Sequence, residues 1–467
     1  MAQAPALGGE IRFWNLAVRR EQVGTEVLAG VTTFLVMAYI IFVNPVILGF
    51  VGFPDLQGKG LPFTAVMTST CLVAGLMTVL MGLYTNKAFA IAPGMGLNAV
   101  VAFQLVNGLG LPWPTAMGVI VLEGLVITVL VLTGLRQAIF EAVPVELKRA
   151  IGVGIGWFIL FIGLYSAGFI KQGPPGAPLQ LGDLKGTPVL VAIVGLFLTV
   201  WLFVRGVRAA LLIGILLSTA LATLLNHLSG LTAFPTPGVA TVPAQIVSPP
   251  DFSLLGRFDF GVFGRLGLIS AVLLIFSIML SDFFDTMGTL IGVGERAGYV
   301  DERGNFDRVE QPLLIDSLGA VAGGVASCSS ATTYIESAAG ISVGGRTGLT
   351  SLVTGLLFFV ALPFSPIVGM VPKEATAPAL IIVGYLMMTV LGQGLDFEKA
   401  ETGLPALLTM AVMPLTYSIT NGIGAGFILY TFIRLVKRQQ VHPLMLGAAL
   451  AFVVYFGETF LRAQFGL

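Results

Sequence analysis

The sequence predicts an all-α, polytopic membrane protein with 14 transmembrane segments in two inverted repeats of seven. Three observations carry that expectation. Of the 467 residues, 56% are hydrophobic and only 10% charged, where a soluble domain carries about 25% charge. The apolar runs are near twenty residues long and do not alternate in tens, which selects helices over a barrel. The proline-rich stretch Leu231–Arg265 divides the chain into halves of seven segments each. An odd number per half gives the halves opposite orientations.

Taken in order, residues 1–23 form a short N-terminal segment without a signal-peptide core. Phe13 and Trp14 suit an interface. Spans are expected near 24–50, 62–84, 88–106, 112–133, 147–170, 187–204 and 208–229 in the first half. Residues 230–265 are an extracytoplasmic linker. The second half holds spans near 266–294, 312–325, 329–345, 348–371, 375–393, 402–419 and 420–437. In the C-terminal segment 438–467, Pro443–Leu461 is either an interfacial helix or a further span. With the N-terminus inside, 17 Lys and Arg fall on inner segments and 6 on outer ones, as the positive-inside rule requires. That places the N-terminus in the cytoplasm and the chain in the cell (inner) membrane.

The zero net charge suggests no nucleic-acid partner. Cys71 and Cys328 sit in apolar or small-residue contexts, so neither a disulfide framework nor a metal site is expected. His227 and His442, near span ends, read as structural. No cofactor is implied.

The chemistry concentrates in Ser281–Leu290. Asp282 and Asp285 lie inside the apolar run Leu266–Gly294, and at i, i+3 they share a helical face that Thr289 continues. A charge at mid-membrane costs roughly 2.5–3.5 kcal/mol, so such residues usually face a cavity and have a task. The third and tenth spans, Ala88–Phe103 and Ser329–Gly345, are short and interrupted. Each begins with strand character, Phe89–Ala92 and Ala331–Ile335. Each then starts a small-residue helix, at Pro93-Gly94 and at Glu336-Ser337. Broken segments in matching positions point to a midplane binding site between two helix N-termini. Asp282, Asp285 and Glu336 supply acceptors when ionised and a donor when protonated, and Asn98 supplies both. Phe89 and Tyr334 are placed to stack on an aromatic ligand. No Lys or Arg of these spans lies near the centre, which disfavours an anionic substrate and favours a neutral heterocycle. Around one small cavity, Asp282, Asp285 and Glu336 are not all ionised at once, so one is expected to carry a coupling proton. Glu123, Asp316 and Glu26 read as structural, and Gly294–Pro312 as a solvated cytoplasmic loop. An aspartyl hydrolase is excluded, because acids three apart on one helix do not converge on one water.

Four motifs carry a family likeness: GVTTFLVMAYIIFVNP (Gly30–Pro45), APGMGLNA (Ala92–Ala99), SDFFDTMGTL (Ser281–Leu290) and TTYIESAAGI (Thr332–Ile341). From about Phe13 to Arg438 the chain resembles the nucleobase–cation symporter-2 group (nucleobase–ascorbate transporter-like). The likeness is to its AzgA-like branch of adenine, guanine and hypoxanthine permeases. The resemblance implies a core domain from 24–133 and 266–371, a gate domain from 147–229 and 375–437, and a purine between them. It implies proton-coupled symport by alternating access, in a protein that is not an enzyme. It assigns the eighth-span carboxylate role to Asp285 or Asp282, the tenth-span one to Glu336 and the third-span polar one to Asn98. Phe89, Ala92, Tyr334 and Ile335 surround them. Uracil and xanthine branches carry a histidine and an asparagine where Thr289 and Ser337 stand here, a departure that favours the AzgA-like substrates. The partners implied are a purine nucleobase, protons and the bilayer, with a homodimer left open. An anion transporter of the same architecture is the alternative.

Overall fold

The computed structural model describes residues 10–51, 53, 56, 58–135, 142–174, 177–234, 236, 238–300, 306–393 and 395–465. Helices make up 69% of the described residues. Among the described residues, nine helices are long and apolar enough to cross a bilayer: Arg20–Leu48, Phe63–Thr85, Trp113–Thr133, Val145–Ser166, Thr187–Val204, Ala210–Leu228, Leu268–Ala297, Gly348–Gly369 and Ile419–Val436. Each lies within a few residues of an expected span, because a run of apolar side chains near twenty residues long is stable in lipid only as a helix. Glu310–Val325, Lys373–Met388 and Ala400–Thr416 are helical as expected but shorter. The C-terminal apolar stretch is helical over Pro443–Phe465 and packs on the 419–436 helix. Arg136, Arg303 and the middle of the 294–312 loop lie outside the described residues.

Two local features differ from the sequence reading. The N-terminal segment is a hairpin, Glu10–Phe13 against Leu16–Arg19, with Trp14 in its turn at φ +54°. It is tied to the end of the 63–85 helix by Asn15 Nδ2 donating to the Tyr84 carbonyl at 2.9 Å. The first span is interrupted, with helices Val23–Met37 and Ile40–Leu48 meeting at Ala38-Tyr39.

Helix pairs approach through small residues, as membrane packing favours. The 63–85 and 348–361 helices touch where Gly82 meets Gly348, and the 145–166 and 373–388 helices where Gly156 meets Gly384. A Cβ on Gly82 would lie 2.4 Å from the Gly348 carbonyl oxygen. Glu26 joins a third pair: its buried carboxylate accepts from Arg346 N (3.0 Å) and Thr347 N (3.2 Å), capping the 348–361 helix from a neighbouring one.

Two cavities lie at opposite ends of the 145–166 helix. One, of about 570 Å³, is walled by aromatic rings near Tyr165 and Tyr417. At its floor Gln104 bridges two elements. Its Nε2 donates to Thr420 Oγ1 at 2.7 Å, and its Oε1 accepts from Ile419 N at 3.0 Å. The other cavity contains the candidate site.

Gly82→Val is expected to destabilise the protein by about 1–3 kcal/mol through overpacking against backbone that cannot yield. The detergent-solubilised midpoint of thermal unfolding reads this directly, and an unchanged midpoint would contradict the close approach.

Candidate functional site

Two short strands, both fully buried, organise the site. Ile91–Pro93 and Ala331–Thr333 pair antiparallel, with Ala92 opposite Thr332. The ladder extends through Gly94 N to the Ser330 carbonyl (2.8 Å) and Tyr334 N to the Ala90 carbonyl (2.9 Å). The ordered strands thus cover only part of the stretches expected to be extended: Phe89 and Ala90 precede the first strand in irregular backbone, and Tyr334 and Ile335 turn into the 337–343 helix. After Gly94 comes the helix Met95–Ala99, which widens to π geometry over Val100–Gly108. Glu336 is the N-cap residue of the helix Ser337–Val343. Backbone groups at this depth have no water to bond, so side chains complete the set. Thr78 Oγ1 both accepts from Ile91 N and donates to its carbonyl, each at 2.9 Å. Ser337 Oγ accepts from Ala90 N at 3.0 Å. Asp316 takes Thr333 N on Oδ1 at 2.6 Å, Thr333 Oγ1 at 2.7 Å, and Thr286 Oγ1 on Oδ2 at 2.7 Å.

Beside the strand pair is a cavity of about 430 Å³. Asp285, Thr289, Ile335 and Glu336 line it, among aliphatic side chains such as Ile155 and Val383. Ile335 is 59% exposed, into this space. Glu336 is held by Tyr39, whose hydroxyl donates to Oε1 at 2.6 Å. Asp285 and Glu336 are close enough to feel each other's charge. Two acids, with the hydroxyl residues Ser281, Thr289 and Thr389, among the aliphatic lining suit a small ligand that presents N–H donors and, toward a protonated acid, an acceptor.

The spans named in the sequence reading supply no cation at their centre, but cations reach the cavity from outside them. Lys148, Arg149 and Arg296 line the same cavity, and Lys148 Nζ stands 5.9 Å from the Phe284 ring centroid. Lys148 and Arg149 belong to a separate helix that tertiary packing brings alongside the 268–297 helix.

The other six candidates build the walls or lie behind them. Asp282 is 1% exposed, and its Oδ2 accepts from Ser330 Oγ at 3.0 Å. Asn98 is buried with neither amide atom hydrogen-bonded. Ala92 is an interior strand residue. Phe89 packs on Tyr299 and Phe306, ring centroids 5.6 and 6.2 Å away, in a cluster that also seats the Lys87 ammonium. Tyr334 donates its hydroxyl to the Pro93 carbonyl, and Ser337 serves the strand as above. Neither ring stands against the cavity. Tyr39 went unrecognised in the sequence, where nothing local marks it. Asp316, read there as structural, clamps the strand of the tenth segment, and an aspartate within an apolar run was its signal.

Residues 24–425 match the model of the Permease family. An adenine permease of Escherichia coli strain K12, AdeP, is 40% identical over 447 residues, covering 95% of this chain and 95% of that one. The guanine/hypoxanthine permease PbuG of Bacillus subtilis strain 168 is 41% identical over 434 residues, covering 92% and 96%. Among solved structures, the transmembrane domain of a cyanobacterium bicarbonate transporter, BicA, superposes with a TM-score of 0.60 at 17% identity, covering 90% of this chain and 99% of that one. That likeness concerns the fold alone. The chain belongs to the Permease family: it is a multi-pass membrane transporter and not an enzyme.

Asp316→Ala is expected to leave the Thr333 N–H buried without a partner and to cost about 1–3 kcal/mol of stability. Asp316→Asn, which keeps an acceptor, should cost less. Thermal unfolding of both variants ranks them, and equal stabilities would remove the clamp from the strand's support.

Proposed function

We propose, from this family membership and the chemistry of the cavity, that the protein carries purine nucleobases (adenine, guanine or hypoxanthine) into the cell together with protons. The observation that carries the reading is the pair Asp285 and Glu336 in one small, largely apolar cavity, at the start of a broken helix. A purine offers ring N–H groups to an ionised acid and ring nitrogens to a protonated one. Relatives of similar length named as adenine and guanine/hypoxanthine permeases support the substrate class.

The proposed architecture is 14 spans in two inverted halves, with the N-terminus cytoplasmic in the inner membrane. The excess of Lys and Arg on the inner segments supports it. So does the antiparallel pairing of the two broken spans. Residues 24–133 and 266–371 are the core domain, and 147–229 and 375–437 the gate. Helices pack mainly within these groups: 63–85 with 348–361, and 145–166 with 373–388. Transport follows alternating access, the core moving against the gate. In the conformation described, the cavity lies toward the Lys148 end, and the Gln104 bridge joins core to gate at the other. Within the site, Glu336 and Asp285 bind the base. Asp285, or Asp282 one turn deeper, carries the proton, and Asn98, Phe89, Ala92, Thr289, Tyr334, Ile335 and Ser337 shape the surroundings. Lys148, Arg149 and Arg296 at the cavity favour a second reading, an anion transporter. Against it, the acids, and not the cations, flank the helix start.

Glu336→Ala is expected to weaken purine binding roughly 10- to 150-fold, since one hydrogen bond to a charged group contributes about 1.5–3 kcal/mol. Asn98→Ala should weaken it less. Binding of labelled adenine or hypoxanthine to folded, purified variants measures both; wild-type affinity in Glu336→Ala would remove the site.

Uptake is expected to rise as external pH falls from about 8 to 6, because proton and purine stabilise one another's binding and linkage is reciprocal. Asp285→Asn should keep some binding and lose pH-dependent accumulation. Accumulation that follows sodium, or that survives a protonophore, would rule out proton coupling.

A further inference from the structure

Outside the lining of the cavity, the described residues hold several buried polar atoms without partners. Both carboxylate oxygens of Glu123 lack a hydrogen bond, as do Asp282 Oδ1, Ser329 Oγ and both amide atoms of Asn98. Glu123 is 0% exposed, in the middle of the 113–133 helix. It lies beside Asp282 and Ser330, and within electrostatic reach of Asp316.

The charges around Glu123 do not balance. The 310–325 helix brings Asp316, with Glu310 at its far end. The 268–297 helix brings Asp282 and Asp285. The short Val262–Leu266 helix brings Arg265, but it packs near Thr115, two turns from Glu123. No group of three or more acidic, His or Cys residues among the described residues is arranged to hold a metal ion. An isolated ionised carboxylate in an apolar interior is very costly, and such a group takes up a proton instead. The hydrogen bonds divide the roles. Asp316 receives donors from Thr286 and Thr333 and is suited to hold negative charge. Glu123 has only Ser330 and Asp282 beside it, and Ser330 already donates to Asp282, so Glu123 is the acid suited to hold the proton and offer it to Asp282.

We propose that Glu123, Asp282 and Asp316 form a second, proton-holding site in the core, with Glu123 as the acid that stores the coupling proton. This rests on the proton-coupled reading above and extends it. A proton reaching Asp282 from the cavity side crosses to a Glu123 oxygen. The Asp282 O–H bond breaks as the Glu123 O–H bond forms, leaving Asp282 a carboxylate held by Ser330. The reverse transfer returns the proton when the purine is released. No other bond changes. Glu123 acts through Asp282 and does not touch the purine.

The test compares wild type, Glu123→Gln and Glu123→Asp in proteoliposomes. Labelled hypoxanthine and adenine are followed both by exchange without a gradient and by uptake against a concentration difference under an imposed pH gradient. Glu123→Gln should exchange within about twofold of wild type yet accumulate to no more than about onefold, with a flat pH profile, because coupling and binding are separable free energies. Glu123→Asp should restore part of the accumulation. Infrared difference spectra on purine binding should show a protonated-carboxyl band in wild type that Glu123→Gln lacks. Accumulation by Glu123→Gln with the wild-type pH profile would overturn the proposal. So would a loss of exchange and thermal stability in step in both variants, since Glu123 would then be structural. If wild type itself fails to accumulate under a pH gradient, the proton-coupled reading fails first, and the two failures are distinct.

Discussion

Peptide groups inside a bilayer must find their hydrogen bonds within the protein, and the candidate site is built on one answer to that demand. A continuous helix satisfies it automatically but presents no free backbone. The third and tenth segments each give up several residues of helix, and each becomes the partner the other needs. The pairing of Ile91–Pro93 with Ala331–Thr333 sets the start of the helix that Glu336 caps. Thr78, Ser337 and Asp316 bond the edges that the two-stranded ladder leaves open. Without them the strands would be short of partners on both outer sides.

This solution places an acid where no ligand reaches it. Asp316 is buried and occupied with Thr333 and Thr286, so its charge is a structural component of the tenth segment. Asp282 is similarly engaged with Ser330. The acids of the protein's interior therefore fall into two sets. Those at the cavity, Asp285 and Glu336, are open to a ligand; those behind the strands, Asp282, Asp316 and Glu123, are not. The 268–297 helix contributes to both sets within a single turn, and so it is the element on which events on one side of the strands bear on the other.

Much of the fold was legible in the sequence, because the bilayer makes hydropathy a direct reading of helix position. The segment Thr187–Val204 falls on the residues expected, and both broken spans begin their helices where Pro93-Gly94 and Glu336-Ser337 indicated. Periodicity was less informative about facing. Asp282 and Asp285 share a helical stripe, yet only Asp285 lines the cavity, since a helix wedged between the strands and the 145–166 helix meets different neighbours a turn apart. Phe89 was expected at the ligand and instead anchors Tyr299 and Phe306. Lys148 reaches the cavity from a helix more than a hundred residues away in sequence, and no local pattern carries such information. Tyr39 was hidden for a similar reason: its role depends on contact with Glu336, 297 residues on.

Gln104 has a thermodynamic side. On the proposed alternating-access cycle, its two hydrogen bonds to Thr420 and Ile419, with the rings of Phe103 and Tyr417 packed alongside at 5.8 Å, are made only while that end of the molecule is shut. Each such bond contributes about 0.5–1.5 kcal/mol net, so the empty protein is biased toward this conformation. A ligand arriving from the shut end meets few receptive molecules, and its apparent dissociation constant there is raised by the reciprocal of that receptive fraction. On that cycle the same cavity, with the same contacts, would present two different affinities to the two sides of the membrane.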